Sequence, residues 1–500
     1  MSDAAGTAET TSAISKRAWQ VLAITSFATF VGALDASIMF VAFPSIQETF
    51  SDVSTAQLSW VINSYNIVFA ALLVPGGRFA DKIGRKKAFF LGIGVFTISS
   101  AVAGSAVNPA MLIGARVVQA GGAALLFPSS LALVLREFPQ SRRATAVGIW
   151  GAIGGLAAAL GPSLGSLIIE VESWRLAFFI NLPVGITVIA VGWRVIAESR
   201  EEDARIPDLL SVPILIAGVA MLALGIVQTD EWGWTDARTL GAFAAAAVLI
   251  PAFIARSAMA AAPVLDLTLF RNHNYRIANI ATLTFTIGFS AMFFGMVLFL
   301  TNVWGYSILQ AGLLLSPGPV LAAFVGATAG RLADRIGHRP IMVPGGIIYA
   351  IGSGWLLTQF TFEREILTVW MPSILLTGVG VGLVLPGLSS AAAHGLPPHR
   401  FAVGSAVNVT IRQIGFVMGV ALVIAFLGTP TPDTILDKFE RIFALLVAGG
   451  LSTAVISIAL DTRPRLERVP ETLEPRPANV LAEEPVVPSA ESAPVAGAGE

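Results

Sequence analysis

The sequence is poor in the residues on which most soluble proteins and enzymes rely. It contains no cysteine, four histidines and only 13% charged residues among its 500 positions. Without cysteine it can form neither a disulfide nor a thiolate metal site. Because a soluble domain carries about 25% charged residues, the composition excludes an ordinary soluble domain. A net charge of −1 argues against nucleic acid as a partner.

Two missing motifs limit the chemistry further. The sequence has no GxxxxGK[ST] phosphate-binding loop, so we expect no ATP hydrolysis by this chain. It also has no HExxH motif, and no Ser, His and Asp residues fall at a common depth. We therefore predict a protein that is not an enzyme and that uses no cofactor and no metal.

Apolar sequence is what the chain has in abundance. Hydrophobic residues make up 55% of it, and the mean hydropathy is +0.76. A helix needs about 20 mainly apolar residues to cross a bilayer, and fourteen such segments predict an all-α membrane protein. The predicted segments are 19–42, 58–78, 88–106, 109–135, 144–170, 175–197, 207–228, 238–257, 275–301, 310–330, 340–359, 367–390, 403–427 and 440–460.

A charged, glycine-bracketed turn occurs twice. Gly77–Lys86 (GRFADKIGRK) follows the second segment, and Gly330–Arg339 (GRLADRIGHR) follows the tenth. Internal repeats of this kind are typical of secondary transporters, which move one repeat against the other around a central site. The repeat predicts two six-helix bundles, at 19–197 and 275–460, with two inserted helices at 207–257.

The basic residues predict the orientation. Most of the 31 Lys and Arg residues fall on the side of the membrane that holds the N-terminus, which predicts that this side is cytoplasmic. An even number of helices then returns the C-terminus to the same side. We expect a cytoplasmic segment at 1–18, a disordered cytoplasmic tail at 461–500, and a multi-pass protein of the inner cell membrane.

One buried carboxylate is the main candidate for coupling. Asp35 is the only carboxylate well inside a segment, and Arg116 lies at a similar depth in segment 4. Both are predicted to lie roughly 10 Å below the outer surface, so they can meet. A buried carboxylate beside a cation can load and release a proton as its surroundings change. The alternative is a static ion pair that holds two helices together.

Further polar residues lie inside the segments. With Asp35, they are the candidates for a substrate cavity: Gln119, Asn63, Asn66, Asn181 and Arg412. Each amide can bind substrate or simply hold helices together. Arg412 can bind an anion, or extend its side chain towards the cytoplasmic interface.

Two backbone features are candidates for movement. Gly161-Pro162 interrupts segment 5 and predicts a helix bend or a tight interhelical seam, whereas the alternative is ordinary close packing. The repeated turn is predicted to gate the cytoplasmic side, because its Asp and Arg can pair and separate. The alternative is that its positive charges only set the topology. The predicted gating residues are Gly77, Asp81, Gly84, Arg85, Gly330, Asp334 and Gly337.

These motifs resemble those of a known family. GRFADKIGRKK resembles the loop 2–3 signature of the major facilitator superfamily, with Phe79 in place of the usual Leu. Several segments resemble its fourteen-helix drug:proton antiporter family. They are Leu34–Pro44, Trp60–Tyr65, Arg116–Gly122, Leu160–Ser166 and Ser173–Gly185. The chain departs from the family pattern at Ser166, where the second glycine of a pair is usual, and at Thr301, where many relatives carry Gln.

The resemblance implies a proton-coupled antiporter that exports small amphiphilic or cationic molecules by alternating access. It implies that Asp35 carries the proton, that Arg116 takes part in proton transfer, and that Gly161-Pro162 belongs to an antiporter motif. The expected partners are a small-molecule substrate, protons and the lipid bilayer, and we expect a monomer. The alternatives are export of a lipid, siderophore or other metabolite, uptake by proton symport, and a sensor or scaffold that does not transport.

Overall fold

The computed structural model describes residues 14–201, 206–397 and 400–462, and its regular secondary structure in these ranges is helical. Residues 1–13 and 463–500, which hold most of the predicted terminal segments, lie outside the described residues. Fourteen long helices occupy the described part of the chain. They are α1 (Lys16–Thr49), α2 (Trp60–Ile83), α3 (Arg85–Gly104), α4 (Pro109–Glu137), α5 (Arg143–Val171), α6 (Trp174–Phe179 continued by Asn181–Val195), α7 (Ser211–Val227), α8 (Ala237–Met259), α9 (His273–Asn302), α10 (Ile308–Leu315 continued by Pro317–Ile336), α11 (Arg339–Gln359), α12 (Met371–Ala393), α13 (Phe401–Leu427) and α14 (Ile435–Ser457).

Each predicted segment corresponds to one of these helices, so the predicted all-helical membrane fold is confirmed. Thirteen of them meet the length and hydropathy expected of a membrane span within the described ranges. The other is α7, which has 17 residues. At 1.5 Å per residue it is about 26 Å long, close to the thickness of the hydrocarbon core.

The first helix is longer than the sequence predicts. Its predicted end is residue 42, but α1 continues through Pro44 to Thr49. Proline removes one backbone hydrogen bond, which does not end a helix that is packed on several sides. Phe43, Pro44 and Ile46 are all buried in the described structure, so tertiary packing carries the helix past the proline.

The helices pack as two matching sets. In the first half, α1 packs on α4, α5 and α6, and α4 also packs on α2 and α3. In the second half, α9 packs on α13 and α14, and α12 packs on α10 and α11. The pairs α1–α5 and α9–α13 correspond, as do α2–α4 and α10–α12. Between the halves, α7 and α8 pack on each other, and α7 also contacts α2 and α13.

The repeated turn has the same backbone form in both halves. Gly84 ends α2 with φ 113°, and Gly337 ends α10 with φ 87°. Their N–H groups donate to Ala80 and Ala333 at 3.0 and 2.9 Å. Residues other than glycine rarely adopt such φ values, so both copies require glycine where the chain reverses between two helices. We call the end of the molecule that holds these two glycines the motif side, and the opposite end, with Phe50 and Trp304, the far side.

The halves meet towards the far side. Phe43 and Phe294 lie 4.9 Å apart between ring centres, and a Cβ on Gly312 of α10 would collide with Ser166 of α5. Towards the motif side, α5 is uncovered. No heavy atom lies within 4 Å of the positions that a Cβ would occupy at Gly148, Gly151 or Gly155. The contacts between the halves therefore close the far side and leave the motif-side part of α5 open.

Candidate functional site

Asp35 and Arg116 form a buried ion pair. Their side chains are 0% and 1% exposed, and Arg116 Nη1 donates to Asp35 Oδ2 at 2.5 Å. The sequence placed the two residues at similar depth, and the structure brings them into contact. Because α1 is longer than predicted, Asp35 lies further from the far-side end of its helix than expected. Arg116 still reaches it from the second turn of α4.

Two amides complete the shell around the carboxylate. Gln119 Nε2 and Asn181 Nδ2 donate to Asp35 Oδ1 at 3.0 and 2.9 Å. Both amides also donate to Ser100 Oγ, at 2.7 and 3.1 Å. We call Asp35, Ser100, Arg116, Gln119 and Asn181 the Asp35 cluster. It joins α1, α3, α4 and α6, so a movement of Asp35 changes hydrogen bonds that connect four helices of the first half.

Local sequence explains how α4 supplies two of these groups. Arg116 and Gln119 are three residues apart, so they share one helix face. Arg116 Nη1 also donates to Gln119 Oε1 at 2.7 Å, which turns the amide so that its nitrogen points at Asp35. The helix itself begins at a strong cap, since Asn108 Oδ1 accepts from the Met111 N–H at 2.8 Å and Pro109 follows.

The guanidinium is fixed on its other faces as well. Arg116 Nε donates to the Val61 carbonyl at 3.3 Å, and its Cζ lies 4.0 Å from the centre of the Tyr65 ring. Removing two charges from water costs several kcal/mol per ion, and close pairing with full hydrogen bonding offsets it. In this conformation the charged carboxylate has three donors and no exposed surface. Access of water to Asp35 therefore requires the cluster to rearrange.

Ser100 was not predicted from the sequence. It is one of two adjacent serines in an apolar segment, and serine is common in membrane helices. Its hydroxyl is the point where the two amides meet, but that role depends on three other helices. Nothing in the spacing of Ser99 and Ser100 distinguishes them.

The remaining cavity candidates lie apart from the Asp35 cluster. Asn66 Oδ1 accepts from Gln413 Nε2 at 3.3 Å, so it joins α2 to α13. Asn63 is fully buried, and neither of its amide atoms has a hydrogen-bond partner among the described residues. Arg412 is partly exposed, and within the described ranges no hydrogen bond, ion pair or ring contact engages its guanidinium. Half of the six predicted cavity residues thus belong to one cluster and half do not.

The first copy of the repeated turn is held by charged contacts. Arg85 Nε donates to Asp81 Oδ1 at 2.8 Å. The side chain of Glu198, after α6, accepts from the backbone N–H groups of Lys86 and Lys87 at 3.0 and 3.3 Å. A carboxylate at this position satisfies free donors at the start of α3 and stabilises its positive end. Glu198 was not predicted, because a carboxylate in a polar loop gives no signal in the sequence.

Glycine is needed in the first copy for space as well as for φ. A Cβ on Gly84 would lie 2.6 Å from the Glu198 carboxylate, and one on Gly77 would lie 3.3 Å from Pro128. Two backbone hydrogen bonds tie the same turn to the segment after α6. The Arg85 N–H donates to Ser199 at 2.7 Å, and the Glu201 N–H donates to Asp81 at 2.8 Å.

In the second copy, His338 contacts two hydroxyl groups at the corresponding place. His338 follows Gly337 and is buried, with its N–H and Nδ1 at 2.8 and 2.9 Å from Thr462 Oγ1. Its Nε2 lies 2.7 Å from Ser390 Oγ. Gly330 is open, with no heavy atom within 4 Å of a Cβ position. The side chain of Asp334 lies outside the described residues, so its predicted gating role stays a prediction.

Gly161-Pro162 lies inside a continuous helix, α5. A Cβ on Gly161 would collide with Ser37 of α1, and Pro162 O would lie 2.5 Å from a Cβ on Gly312 of α10. The pair therefore forms a close seam with a helix of each half. The predicted bend stays a prediction.

The described part of the chain has fourteen apolar helices, twelve of them in two matching halves, and a charged cluster is buried in the first half. These features define a polytopic membrane protein built by duplication. Residues 25–420 match the family model of the Major Facilitator Superfamily. The chain therefore belongs to the Major Facilitator Superfamily of membrane transporters.

The similar proteins include exporters. The multidrug resistance protein Stp of Mycobacterium tuberculosis is 33% identical over 425 residues, which cover 84% of this chain and 78% of that protein. The cephamycin export protein CmcT of Amycolatopsis lactamdurans is 31% identical over 453 residues, covering 89% and 92%. The crystal structure of a D-xylose-proton symporter superposes with a TM-score of 0.64 at 13% identity, covering 89% of this chain and 98% of that one. At that identity the symporter shares the fold alone.

Proposed function

We propose that this protein is a proton-coupled antiporter that exports small amphiphilic molecules across the inner cell membrane. It works as a monomer by alternating access, with both termini and the motif side in the cytoplasm. The observation that carries the proposal is the Asp35 cluster, which places one carboxylate at the meeting point of four helices. The similarity to the cephamycin export protein CmcT supports the direction of transport, and the similarity to the multidrug resistance protein Stp supports an amphiphilic cargo.

The coupling step follows from the contacts of Asp35. A proton on this carboxylate removes the charge that holds Arg116 and turns one oxygen from an acceptor into a donor. Gln119 and Asn181 donate to Oδ1, and Arg116 donates to Oδ2, so protonation on either oxygen breaks part of the cluster. Proton binding thereby loosens α1 from α4 and α6, and proton release restores the arrangement described above.

The two sides of the molecule then open in turn. In the described conformation the far side is closed and the motif-side part of α5 is uncovered, as expected for release of the proton and loading of cargo from the cytoplasm. Opening of the far side exposes Asp35 to external protons and releases cargo. The domain boundaries that this movement requires are those predicted above, with 19–197 and 275–460 moving as units and 207–257 between them.

We assign a gating role to the first copy of the turn. Asp81, Arg85 and Glu198 bind α2, α3 and the segment after α6 into one unit on the motif side. None of these contacts reaches the second half in the described conformation, which fits a gate that is open. The second copy, in which His338 contacts Thr462 and Ser390, supplies the opposing surface.

The test uses purified protein in proteoliposomes with an imposed pH gradient and ethidium as a fluorescent amphiphile. Asp35→Asn is expected to abolish gradient-driven transport but to retain exchange of ethidium across the membrane without a gradient. Asp208→Asn, a carboxylate change in the segment before α7, is the matched control and keeps both activities. Undiminished gradient-driven transport by Asp35→Asn refutes coupling through this residue.

The sign of the gradient separates export from uptake. An antiporter accumulates ethidium in the compartment with more protons, whereas a proton symporter drives it the other way. Accumulation in the less acidic compartment would overturn antiport and leave proton symport as the mode.

A further inference from the structure

Arg412 differs in its contacts from Arg116, the other arginine that lies deep within a membrane-spanning helix. It lies in α13, about 16 Å along the helix from Phe401 at 1.5 Å per residue. Arg116 has a carboxylate, an amide oxygen, a carbonyl and an aromatic ring around it. Arg412 has no hydrogen bond, ion pair or ring contact to any residue that the structure describes.

The neighbours of Arg412 on α13 show which way its face points. One turn before it, Asn408 Nδ2 donates to Asn279 of α9 at 3.0 Å. One turn after it, Phe416 lies 6.4 Å from Phe40 of α1 and 5.8 Å from Phe289 of α9, between ring centres. The 3.6-residue period puts Arg412 between these two directions. Its face is therefore turned towards the space between the two halves.

An aromatic cluster closes this space on the far side. We call Phe40, Phe289, Phe293 and Phe416 the phenylalanine cluster, in which ring centres are 5.1 to 6.4 Å apart. Arg412 lies one turn from it on the motif side, and so does Asp35, one turn before Phe40. The two charged residues thus occupy a similar level, one in each half.

An unpaired guanidinium at this depth is costly. Charged groups inside the membrane are rare and are paired, or line a water-filled pathway. About 16 Å separates this position from the start of α13, which is longer than an arginine side chain, so Arg412 does not reach the motif-side interface from here. The carboxylate at the same level is no partner, because Asp35 is already bound by Arg116 and two amides.

We propose that Arg412 binds an acidic group on the transported molecule, while the phenylalanine cluster receives its apolar part. A guanidinium presents a planar set of donors that fits a carboxylate, sulfonate or phosphate with two parallel hydrogen bonds. The inference rests on the proposed function for the existence of cargo, and it adds amphiphilic organic anions to the amphiphiles that the protein carries. Arg412 then serves cargo binding while Asp35 serves the proton.

Equilibrium binding to the purified full chain in detergent tests the proposal with two radiolabelled probes. Naphthalene-1-acetate carries the acid, and naphthalene-1-acetamide has the same ring system without the charge. The unaltered protein is expected to bind the acid at least tenfold more tightly than the amide. Arg412→Gln is expected to lose this preference while keeping its affinity for the amide, and Arg412→Lys to keep part of it.

Two controls distinguish a specific effect of Arg412 from a change in net charge and from misfolding of the variant. Arg441→Gln changes the net charge equally at an exposed position of α14 and should leave the preference intact. Retained binding of the amide by Arg412→Gln shows that the variant is folded. Equal affinity of the unaltered protein for both probes, no detectable binding of the acid, or a preference that survives Arg412→Gln each overturns the proposal.

A competition experiment identifies the source of the anion, and the design of the assay keeps the anion-site proposal separate from the proposal of proton coupling. Displacement of the acid by phosphatidylglycerol, but not by phosphatidylcholine, would assign the site to a lipid headgroup and refute a cargo site. The binding assay uses no proton gradient and no variant of Asp35, so it gives a result whether or not Asp35 couples transport to protons. The transport assay with Asp35→Asn tests proton coupling, and the binding assay with Arg412→Gln tests the anion site. Either proposal can therefore be refuted while the other stands.

Discussion

The two halves of this protein share a fold but not their polar interior. In α4, Arg116 and Gln119 precede Pro128, and in α12 the residues at the same distances before Pro386 are Ile374 and Thr377. The Thr377 hydroxyl donates only to its own helix, at the Ser373 carbonyl. The charged cluster of the first half therefore has no counterpart at the matching positions of the second.

At the level of the Asp35 cluster, the described part of the second half has a network of neutral side chains, and near it lies Arg412. Asn408 donates to Asn279 and to Thr282, each at 3.0 Å, which joins α13 to α9 without any charged group. Arg412 lies one turn further along the same helix with no partner in the described structure. The difference indicates that duplication preserved the packing of helices, while charge was arranged separately in each half. The following predictions test this contrast.

The largest difference is expected between the two buried arginines. Arg116→Met leaves Asp35 charged and unpaired, which costs about 3–5 kcal/mol of stability. Arg412→Met removes a charge that has no partner, so its stability is expected to be unchanged or higher. Thermal unfolding in detergent, followed by tryptophan fluorescence, measures both.

The double variant Asp35→Asn with Arg116→Met is the control for this pair. Removing both charges is expected to recover most of the stability that Arg116→Met loses, because no unpaired ion remains. If Arg116→Met and Arg412→Met destabilise the protein equally, the contrast between the halves is wrong.

The repeated turn gives a second, smaller contrast. Gly84→Ala and Gly337→Ala both force alanine to a positive φ with an extended ψ, which costs about 1–3 kcal/mol. At Gly84 the added Cβ also collides with Glu198, so the loss should be larger there and should weaken transport more. Unfolding midpoints and ethidium transport compare the two variants, and Gly148→Ala, at an open position of α5, is the control.

Ser100 offers a finer test of the Asp35 cluster. Ser100→Ala removes the acceptor shared by Gln119 and Asn181, and leaving buried donors with fewer partners costs about 1–3 kcal/mol. Both amides still reach Asp35, so transport should persist with a shifted dependence on pH. Ser99→Ala, whose hydroxyl bonds only to its own helix, is the neighbouring control. Identical behaviour of the two variants would contradict a role for Ser100 in the cluster.

The smallest effect is expected outside both halves, where Asp208 precedes α7. Hydrogen bonds from Arg256, and then from Ser211, lower the pKa of Asp208 from 3.8 to about 2. An acid with a lowered pKa contributes stability above its ordinary pKa and loses it as the pH falls through the lowered value. Asp208→Asn should therefore reduce stability slightly at neutral pH and match the unaltered protein near pH 2. A reduction that persists at pH 2 would show that the effect is not ionic.

The sequence predicted those features that depend on a single helix or on rare residue types. Fourteen apolar segments are visible because each is long enough to span a bilayer, and Asp35 and Arg116 stand out because ionisable residues inside such segments are few. The repeat of the turn identified its two glycines in the same way. These predictions needed no knowledge of which helices are neighbours.

The features that sequence did not predict depend on neighbours. Ser100 matters because two amides from α4 and α6 converge on it, and Glu198 because its loop folds back under α3. The polarity of Asn66 and Gln119 is alike, yet one faces α13 and the other faces Asp35. Proline at position 44 favours the end of a helix, but tertiary packing around Pro44 stabilises α1 beyond it.

The isolated guanidinium of Arg412 has an electrical consequence. A carrier that takes in one proton and sends out one monovalent anion moves two positive charges inward in each cycle, whereas exchange of a proton for a monovalent cation moves none. Each charge crossing a potential of 100 mV releases about 2.3 kcal/mol. With an anionic cargo, the membrane voltage would therefore drive export even where the pH is equal on the two sides.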